Sequence, residues 1–261
     1  MSPMLGIMAS GRSGNLAPSS PVAGYTVWLD AADTATITQS GGLVSQWTDK
    51  SASAYTFTQA TSANQPTTNS DTQNGKNVLT WGTNDFLLST AASSTWIYLH
   101  NAQSTMFFAF KSTVNTTEAV LLTDDGNTSG SVGFFVAQEN NAQLYTQITR
   151  GVGGSYVSSN ASSNGVLNTA FTYVTVIQDA TNATAANRQD TRIKQGSAIK
   201  NNVQTGAVDN GNPATSLRIG AYSGVSNALN GTYGEILIYN SILSAGNILL
   251  NQQYLAAKWG V

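Results

Sequence analysis

Cysteine is absent from the 261 residues, which excludes disulfides and thiolate metal centres. The fold must be held by its core instead. Charge is almost as scarce. Eleven lysines and arginines stand against 13 aspartates and glutamates, 9% of the chain is charged, and the net charge is −2. That balance leaves no electrostatic footprint for nucleic acid or an anionic membrane. His100 is the one histidine, so a Ser–His–Asp triad has a single ring to draw on. The glutamates are Glu118, Glu139 and Glu235 alone, and none has the closely spaced acidic partner that a glycosidase strand needs. The stretch GVGGSY (151–156) lacks the lysine and helix start of a phosphate loop. No apolar run is long enough to cross a membrane. The opening MSPMLGIMASGRSGNLAPSSPVAG has neither a basic n-region nor an adequate apolar h-region, so no signal peptide is expected.

What the chain does hold is neutral polar surface and a substantial apolar fraction, 41%, enough to build a core. From Tyr25 onward, strand-like runs arrive at short intervals, among them YTVWLDA, LVSQWTD, TMFFAFK, GFFVAQ, FTYVTVIQD and EILIYN. Gly, Asn, Asp and Ser punctuate them, as turns require. Phe171, Tyr173, Thr175 and Ile177 alternate with Thr172, Val174, Val176 and Gln178, whereas TMFFAF reads as buried on both faces. SSTWIYLHN carries a weak helical turn, and residues 181–190 read as a polar hairpin tip.

The close of the chain, GTYGEILIYNSILSAGNILLNQQYLAAKWGV, is a strand followed at once by a helix. Strict alternation sends Tyr233, Glu235, Leu237 and Tyr239 one way and Gly234, Ile236 and Ile238 the other. Ser244 is the expected N-cap. Ile248, Leu255 and Trp259 share one helical face, flanked by Leu249 and Ala256, with Gln252 interrupting the stripe. Lys258 complements the macrodipole in the last turn. The prediction is an all-β, two-sheet antiparallel jelly-roll sandwich over residues 24–261, with a short C-terminal helix. An extended N-terminal arm, residues 1–23, precedes it. Two readings are open for that arm: a floppy terminus, or an anchor whose apolar cluster Met4, Leu5, Ile7 and Met8 binds a partner.

The folded region opens with W-L-D-A (Trp28–Ala31), then W-T-D-K-S (Trp47–Ser51), then N-Q-P (Asn64–Pro66). With NGKNVLTWGTNDFLLS and the strand–helix ending, these motifs resemble laminin-G-like members of the concanavalin A-like lectin/glucanase superfamily. The resemblance spans roughly residues 24–261 and is strongest at both ends. It implies a sandwich whose terminal helix lids exposed core. Such motifs identify a fold better than a function. The glucanases of the superfamily carry paired acids on one strand, which this chain lacks, so no enzyme activity is expected. Glu235 occupies a position commonly acidic in non-enzymatic relatives and is read as orienting a loop or ending a sheet edge.

Relatives often bind calcium or glycans at one rim. Calcium needs six to eight oxygens, and Asp124, Asp125 and Asn127 form the best local cluster, with Asp30 and Asp33 second. Tyr145, Tyr156 and Tyr222 are the candidate aromatic platforms for a sugar. An extracellular type of fold without an export signal is reconciled by a virion protein, assembled in the host cytoplasm and displayed on the particle surface. The resulting expectation is a non-enzymatic phage head-decoration, fibre or tail component. Its partners would be other virion proteins such as the major capsid protein, further copies of itself, and a host-surface glycan. A cellular glycan-binding lectin module is the alternative, and a tailspike-like hydrolase the third.

Overall fold

The computed structural model describes residues 17–113, 118–125, 131–139, 142–149, 156–159 (backbone only), 167, 169–198, 207–222 and 227–261. In chain order the first strands are β1 (Val27–Asp30), β2 (Ile37–Ser40), β3 (Leu43–Thr48), β4 (Thr56–Thr58), β5 (Thr72–Gln73) and β6 (Lys76–Asn77). Next come β7 (Leu79–Trp81), β8 (Leu87–Ser89), the short helix α1 (Tyr98–Asn101), β9 (Gln103–Ser112), β10 (Ala119–Thr123) and β11 (Phe134–Gln138). The chain continues through β12 (Leu144–Thr149), β13 (Tyr156–Ser159), β14 (Thr172–Asp179), β15 (Gln189–Ile193), β16 (Arg218–Ile219) and β17 (Gly231–Tyr239), and closes with α2 (Ala245–Trp259).

The strands form two antiparallel sheets. One runs β1-β17-β9-β14-β15, with β7 also paired to β17; the other runs β13-β12-β11-β10-β16-β8-β4-β3-β2. The two-residue strands β5 and β6 make a separate hairpin. The main core lies between the sheets. Val27, Met106, Phe108, Val174 and Ile236 from the first meet Trp47, Phe57, Phe134 and Ile148 from the second, all fully buried. Alternation then sends Phe107, Ala109, Tyr173, Ile177, Leu237 and Tyr239 to the opposite face of the first sheet, where α2 covers them with Ile248, Leu255 and Trp259. That double cover explains why TMFFAF is apolar at consecutive positions: β9 is a central strand buried on both sides.

Strict alternation fails at one place in β17. Tyr233 pairs with Phe110 and Glu235 with Ala109, so Gly234 is an inserted residue in a bulge. Tyr233 therefore faces the inter-sheet core with Ile236 and Ile238, not the helix side with Glu235. The bulge needs glycine. A Cβ there would stand 2.8 Å from Trp259 Cζ2 and 2.9 Å from Phe171 Cζ, closer than packed carbons tolerate.

Helix α2 begins as expected: Ser244 Oγ accepts from the Asn247 N–H at 3.2 Å. It ends on Gly260 in the left-handed conformation, φ +70°, whose N–H bonds the Ala256 carbonyl. Gln252 does not weaken the docked face. It is buried and donates to Thr175 Oγ1 and the Lys194 carbonyl, each at 3.1 Å. Leu249, expected to flank the buried stripe, points to solvent. At the other end of the chain, packing starts before Gly24. The Val22 N–H donates to Asn251 Oδ1 at 2.8 Å, and the Tyr239 hydroxyl donates to the Val22 carbonyl at 2.6 Å.

Candidate functional site

The W-T-D-K-S motif builds one wall of a recess. Trp47 is core, and Asp49 organises the loop after it. Asp49 Oδ1 accepts from the backbone N–H groups of Trp28 and Ser51, both at 2.7 Å, and Oδ2 from the Ser51 hydroxyl at 2.6 Å and the Tyr55 N–H at 3.0 Å. The loop thereby carries Lys50 across β1, where its ammonium pairs with Asp30 at 3.2 Å and Asp33 at 2.8 Å and lies 4.1 Å from the Trp28 ring centroid. Burial works to lower the Lys50 pKa, but the hydrogen bond to Asp33 and the charge of Asp30 outweigh it and the net direction is upward. Asp33 is lowered in return, chiefly by that bond.

Across β1 stands β17, with Asp30 registered opposite Glu235. Lys258, from the last turn of α2, bridges the two carboxylates at 2.7 Å and 2.8 Å. Glu235 is wholly buried and each of its oxygens takes two donors. Oε1 accepts from Trp28 Nε1 at 2.6 Å and the Tyr254 hydroxyl at 2.7 Å; Oε2 accepts from Trp259 Nε1 at 2.9 Å and from Lys258. Burial pushes the Glu235 carboxyl up from its ordinary value, Lys258 pulls it down, and Asp30 adds to the upward push. Tyr254 is raised too, by burial and then by the Glu235 charge. This corrects the expectation that Glu235 orients a loop or ends a sheet. It sits on a central strand and ties together β1 and α2. Full burial and four donors also leave it no route to a substrate proton.

The third wall is the β5–β6 hairpin. Its Asn74–Gly75 turn places both residues at positive φ, the geometry of a two-residue hairpin. Gln73 Nε2 donates to the Trp259 carbonyl at 2.8 Å and Asn74 Nδ2 to the Lys258 carbonyl at 3.1 Å, satisfying carbonyls at the helix end. Between these walls opens a recess of about 500 Å³, lined by Trp28, Asp30, Lys50, Asn74, Lys76, Tyr254 and Lys258 together with Pro18, Ser19 and Ala257. Lys50 and Lys258 are held in ion pairs, and Lys76 forms none among the described residues.

The candidates singled out in the sequence fall elsewhere. Tyr145 and Tyr222 do come together, on either side of Phe135 on the outer face of the second sheet. Tyr222 stacks on Phe135 at 4.6 Å and 7°, and Tyr145 meets it edge-on at 5.6 Å. Tyr222 and Phe135 are buried, so their faces are used in packing; Tyr145 is half-exposed, and its hydroxyl donates to Gln147 Oε1 at 3.1 Å. Tyr156 lies in β13 opposite Thr149, and its side chain is outside the described residues.

Asp124 is not on an open rim. It is fully buried, burial drives its carboxyl well up, and Oδ1 accepts the Phe134 N–H at 2.6 Å. Asp125 is buried beside it, while Asn127 lies outside the described residues. In the second acidic cluster, Lys50 occupies the space between Asp30 and Asp33 where a cation would sit. No group of three metal-ligating side chains forms among the described residues. His100 is completely buried at the end of α1, with Nε2 bonded to the Gly211 carbonyl at 3.2 Å. The cluster Met4, Leu5, Ile7 and Met8 lies outside the described residues.

No family model matches the sequence, and no curated protein does. Solved structures do share its fold. Trypanosoma rangeli sialidase in complex with sialic acid superposes on 91% of this chain with a TM-score of 0.57 and 13% identity, and the same enzyme with the inhibitor DANA on 94% with 0.56 and 14%. This chain spans only 34% and 36% of those chains. The Ruminococcus gnavus IT-sialidase CBM40 matches 60% of this chain and 84% of its own, at a TM-score of 0.45 and 16% identity. At such identities the likeness speaks for the β-sandwich fold alone.

Proposed function

We propose that this protein is a non-catalytic, glycan-binding sandwich of the concanavalin A-like jelly-roll kind, and that the recess between β1, α2 and the β5–β6 hairpin holds the sugar. The observation that carries this reading is the recess itself. Ammonium groups, an amide and a carboxylate converge beside the Trp28 and Tyr254 rings, the mixture of polar anchors and aromatic surface that saccharide sites use. Its walls are set in advance. Asp30, Glu235 and Asp49 fix Lys50, Lys258, Trp28 and Tyr254 by hydrogen bonds and ion pairs, so little ordering cost remains for a ligand. Lys76, with no ion pair to break among the described residues, is the group most available to a ligand oxygen or carboxylate. Display of this module on a phage particle, as the sequence leads one to expect, is a setting for the same binding role, and co-purification with particles is its test.

The binding claim is tested on a printed array of neutral and carboxylated oligosaccharides, followed by calorimetry on the best probe. Lys76→Ala should weaken that probe at least fivefold while leaving the melting temperature within a degree or two, because Lys76 is part of no ion pair among the described residues. An array without signal, or a probe bound equally well by Lys76→Ala, would refute the assignment. Release of reducing sugar from any bound probe would show an enzyme instead.

A further inference from the structure

The recess is richer in positive charge than the chain around it. Lys50, Lys76 and Lys258 line it with Asp30 as the one lining carboxylate, although the chain has 11 basic residues in 261 and a net charge of −2. The fold gathers the three. Lys50 comes from the loop after β3, Lys76 from β6 and Lys258 from the last turn of α2. In a concave site with walls of low dielectric, the field of such a group is focused on whatever enters.

Their hydrogen bonds distinguish the three ammonium groups, each of which carries three donors. Those of Lys258 are placed on Asp30 at 2.7 Å, Glu235 at 2.8 Å and the Tyr254 hydroxyl at 3.0 Å. Lys50 is placed on Asp30 and Asp33 and keeps one donor. The Lys76 ammonium has no partner among the described residues. Acceptors are scarce by comparison. Asp30 already takes Lys50, Lys258 and the Ala32 N–H, the last at 3.1 Å. Glu235 has its own four donors and does not line the recess. The Trp28 ring is engaged as well: Lys50 lies 4.1 Å from its centroid, Tyr25 meets it edge-on at 5.1 Å, and its N–H belongs to Glu235.

A neutral sugar presents hydroxyls that donate as well as accept, and here their protons meet few free acceptors. An oxyanion only accepts, and its bonds to ammonium groups are charge-assisted. Resting on the glycan-binding reading of this recess, we infer that its ligand is an acidic saccharide, whose carboxylate or sulfate ester is held by Lys76 and by the remaining donor of Lys50. Lys76 then sets the specificity, while Lys258 is spent on holding the wall.

Matched pairs on a printed array test this. Each uronic-acid oligosaccharide is printed beside its carboxyl-reduced form, in which a hydroxymethyl group replaces the carboxylate, and each sulfated oligosaccharide beside its desulfated form. Calorimetry on the best pair follows, with the unaltered full-length protein, Lys76→Ala and Lys76→Arg. The charged member should bind at least about tenfold more tightly than its neutral partner, and the gap should shrink as salt is raised from about 0.05 M to about 0.5 M. Lys76→Ala should reduce the gap to less than about threefold, and Lys76→Arg, which keeps the charge, should retain most of it. A gap in the carboxyl pairs names a carboxylate, and one in the sulfate pairs a sulfate ester; either supports the inference. Equal binding of charged and neutral members would overturn it and leave the glycan-binding reading standing. A preference that survives Lys76→Ala would put the anion elsewhere and overturn it too. Silence from every pair would refute both readings together.

Discussion

Replacing Glu235 by glutamine tests the hub on which the site depends. The change preserves shape and removes only charge and acceptor capacity. The carboxylate receives two donors on each oxygen, and each oxygen serves one tryptophan N–H, Trp28 at 2.6 Å and Trp259 at 2.9 Å. Indole nitrogens only donate. Whichever way the new amide is turned, its NH₂ group faces an indole N–H and one buried donor loses its acceptor, at about 1–3 kcal/mol. Lys258 keeps Asp30 but loses its second carboxylate, and breaking a buried pair from one side costs about 3–5 kcal/mol. Relief of the burial penalty on the glutamate charge offsets part of that sum. A net loss of about 3–5 kcal/mol is expected, lowering the melting temperature by roughly 6–20 °C for a domain of this size. Urea titration followed by tryptophan fluorescence measures it. Glu235→Gln combined with Lys258→Met should recover part of the loss, because the stranded ammonium is gone. A single-variant loss below about 1 kcal/mol would mean that the four bonds do not tie α2 and β1 to β17, and the hub reading would fail.

Two further outcomes follow from the geometry. Gly234→Ala drives a methyl group into Trp259 and Phe171 and should cost about 1–3 kcal/mol by overpacking; a melting temperature equal to that of the unaltered protein would show that the bulge has room to spare. His100 is buried, and burial lowers its pKa below the ordinary 6.5, against the pull of the Gly211 carbonyl. Between the folded and unfolded values the unfolded chain binds the extra proton, so the contribution of the neutral ring is complete above about pH 6.5 and is lost as pH falls toward the folded value. Comparing urea midpoints at pH 7.5 and pH 5.5, His100→Gln should lose less on acidification than the unaltered protein, and equal losses would contradict the assignment.

Which parts of this structure could be read in advance follows from how local their causes are. Ser244, the apolar spacing of Ile248, Leu255 and Trp259, and the alternation of β14 are decided within a few residues, and each stands where the pattern puts it. The motif around Asp49 was recognisable because its acceptor, hydroxyl and turn lie within a span of seven residues. The role of Glu235 is not legible in the sequence because its four donors come from residue 28 and from residues 254 to 259, and no local pattern announces that they will converge. The bulge at Gly234 shifted Tyr233 to the other face, and a signal was available: an isolated glycine inside a strand marks a close backbone approach. Tyr145 and Tyr222 read from the sequence as free aromatic surface but pack on Phe135, since a strand pattern separates the two faces of a sheet without saying which loops cover them. The recess itself was legible only in part. Trp28, Asp30 and Lys50 were all in quoted motifs, but Lys76 and Asn74 come from a hairpin whose importance lies in touching the end of a helix that is remote in sequence.

The place of β17 bears on how the molecule comes into being. It lies between β1 and β9, and Thr26 reaches Ile238 across 212 residues of chain. On the ribosome, β1 and β9 emerge long before the strand that joins them, and the outer face of their sheet waits still longer for α2. Until then that apolar surface is open to whatever binds nascent chains, and pairing must be won against a long loop closure. A polypeptide cut short before Gly231 would not be a slightly smaller sandwich, because β1 would be parted from β9, β14 and β15 with no strand between them. Residues 231–259 thus decide whether the first sheet is continuous and its outer face covered.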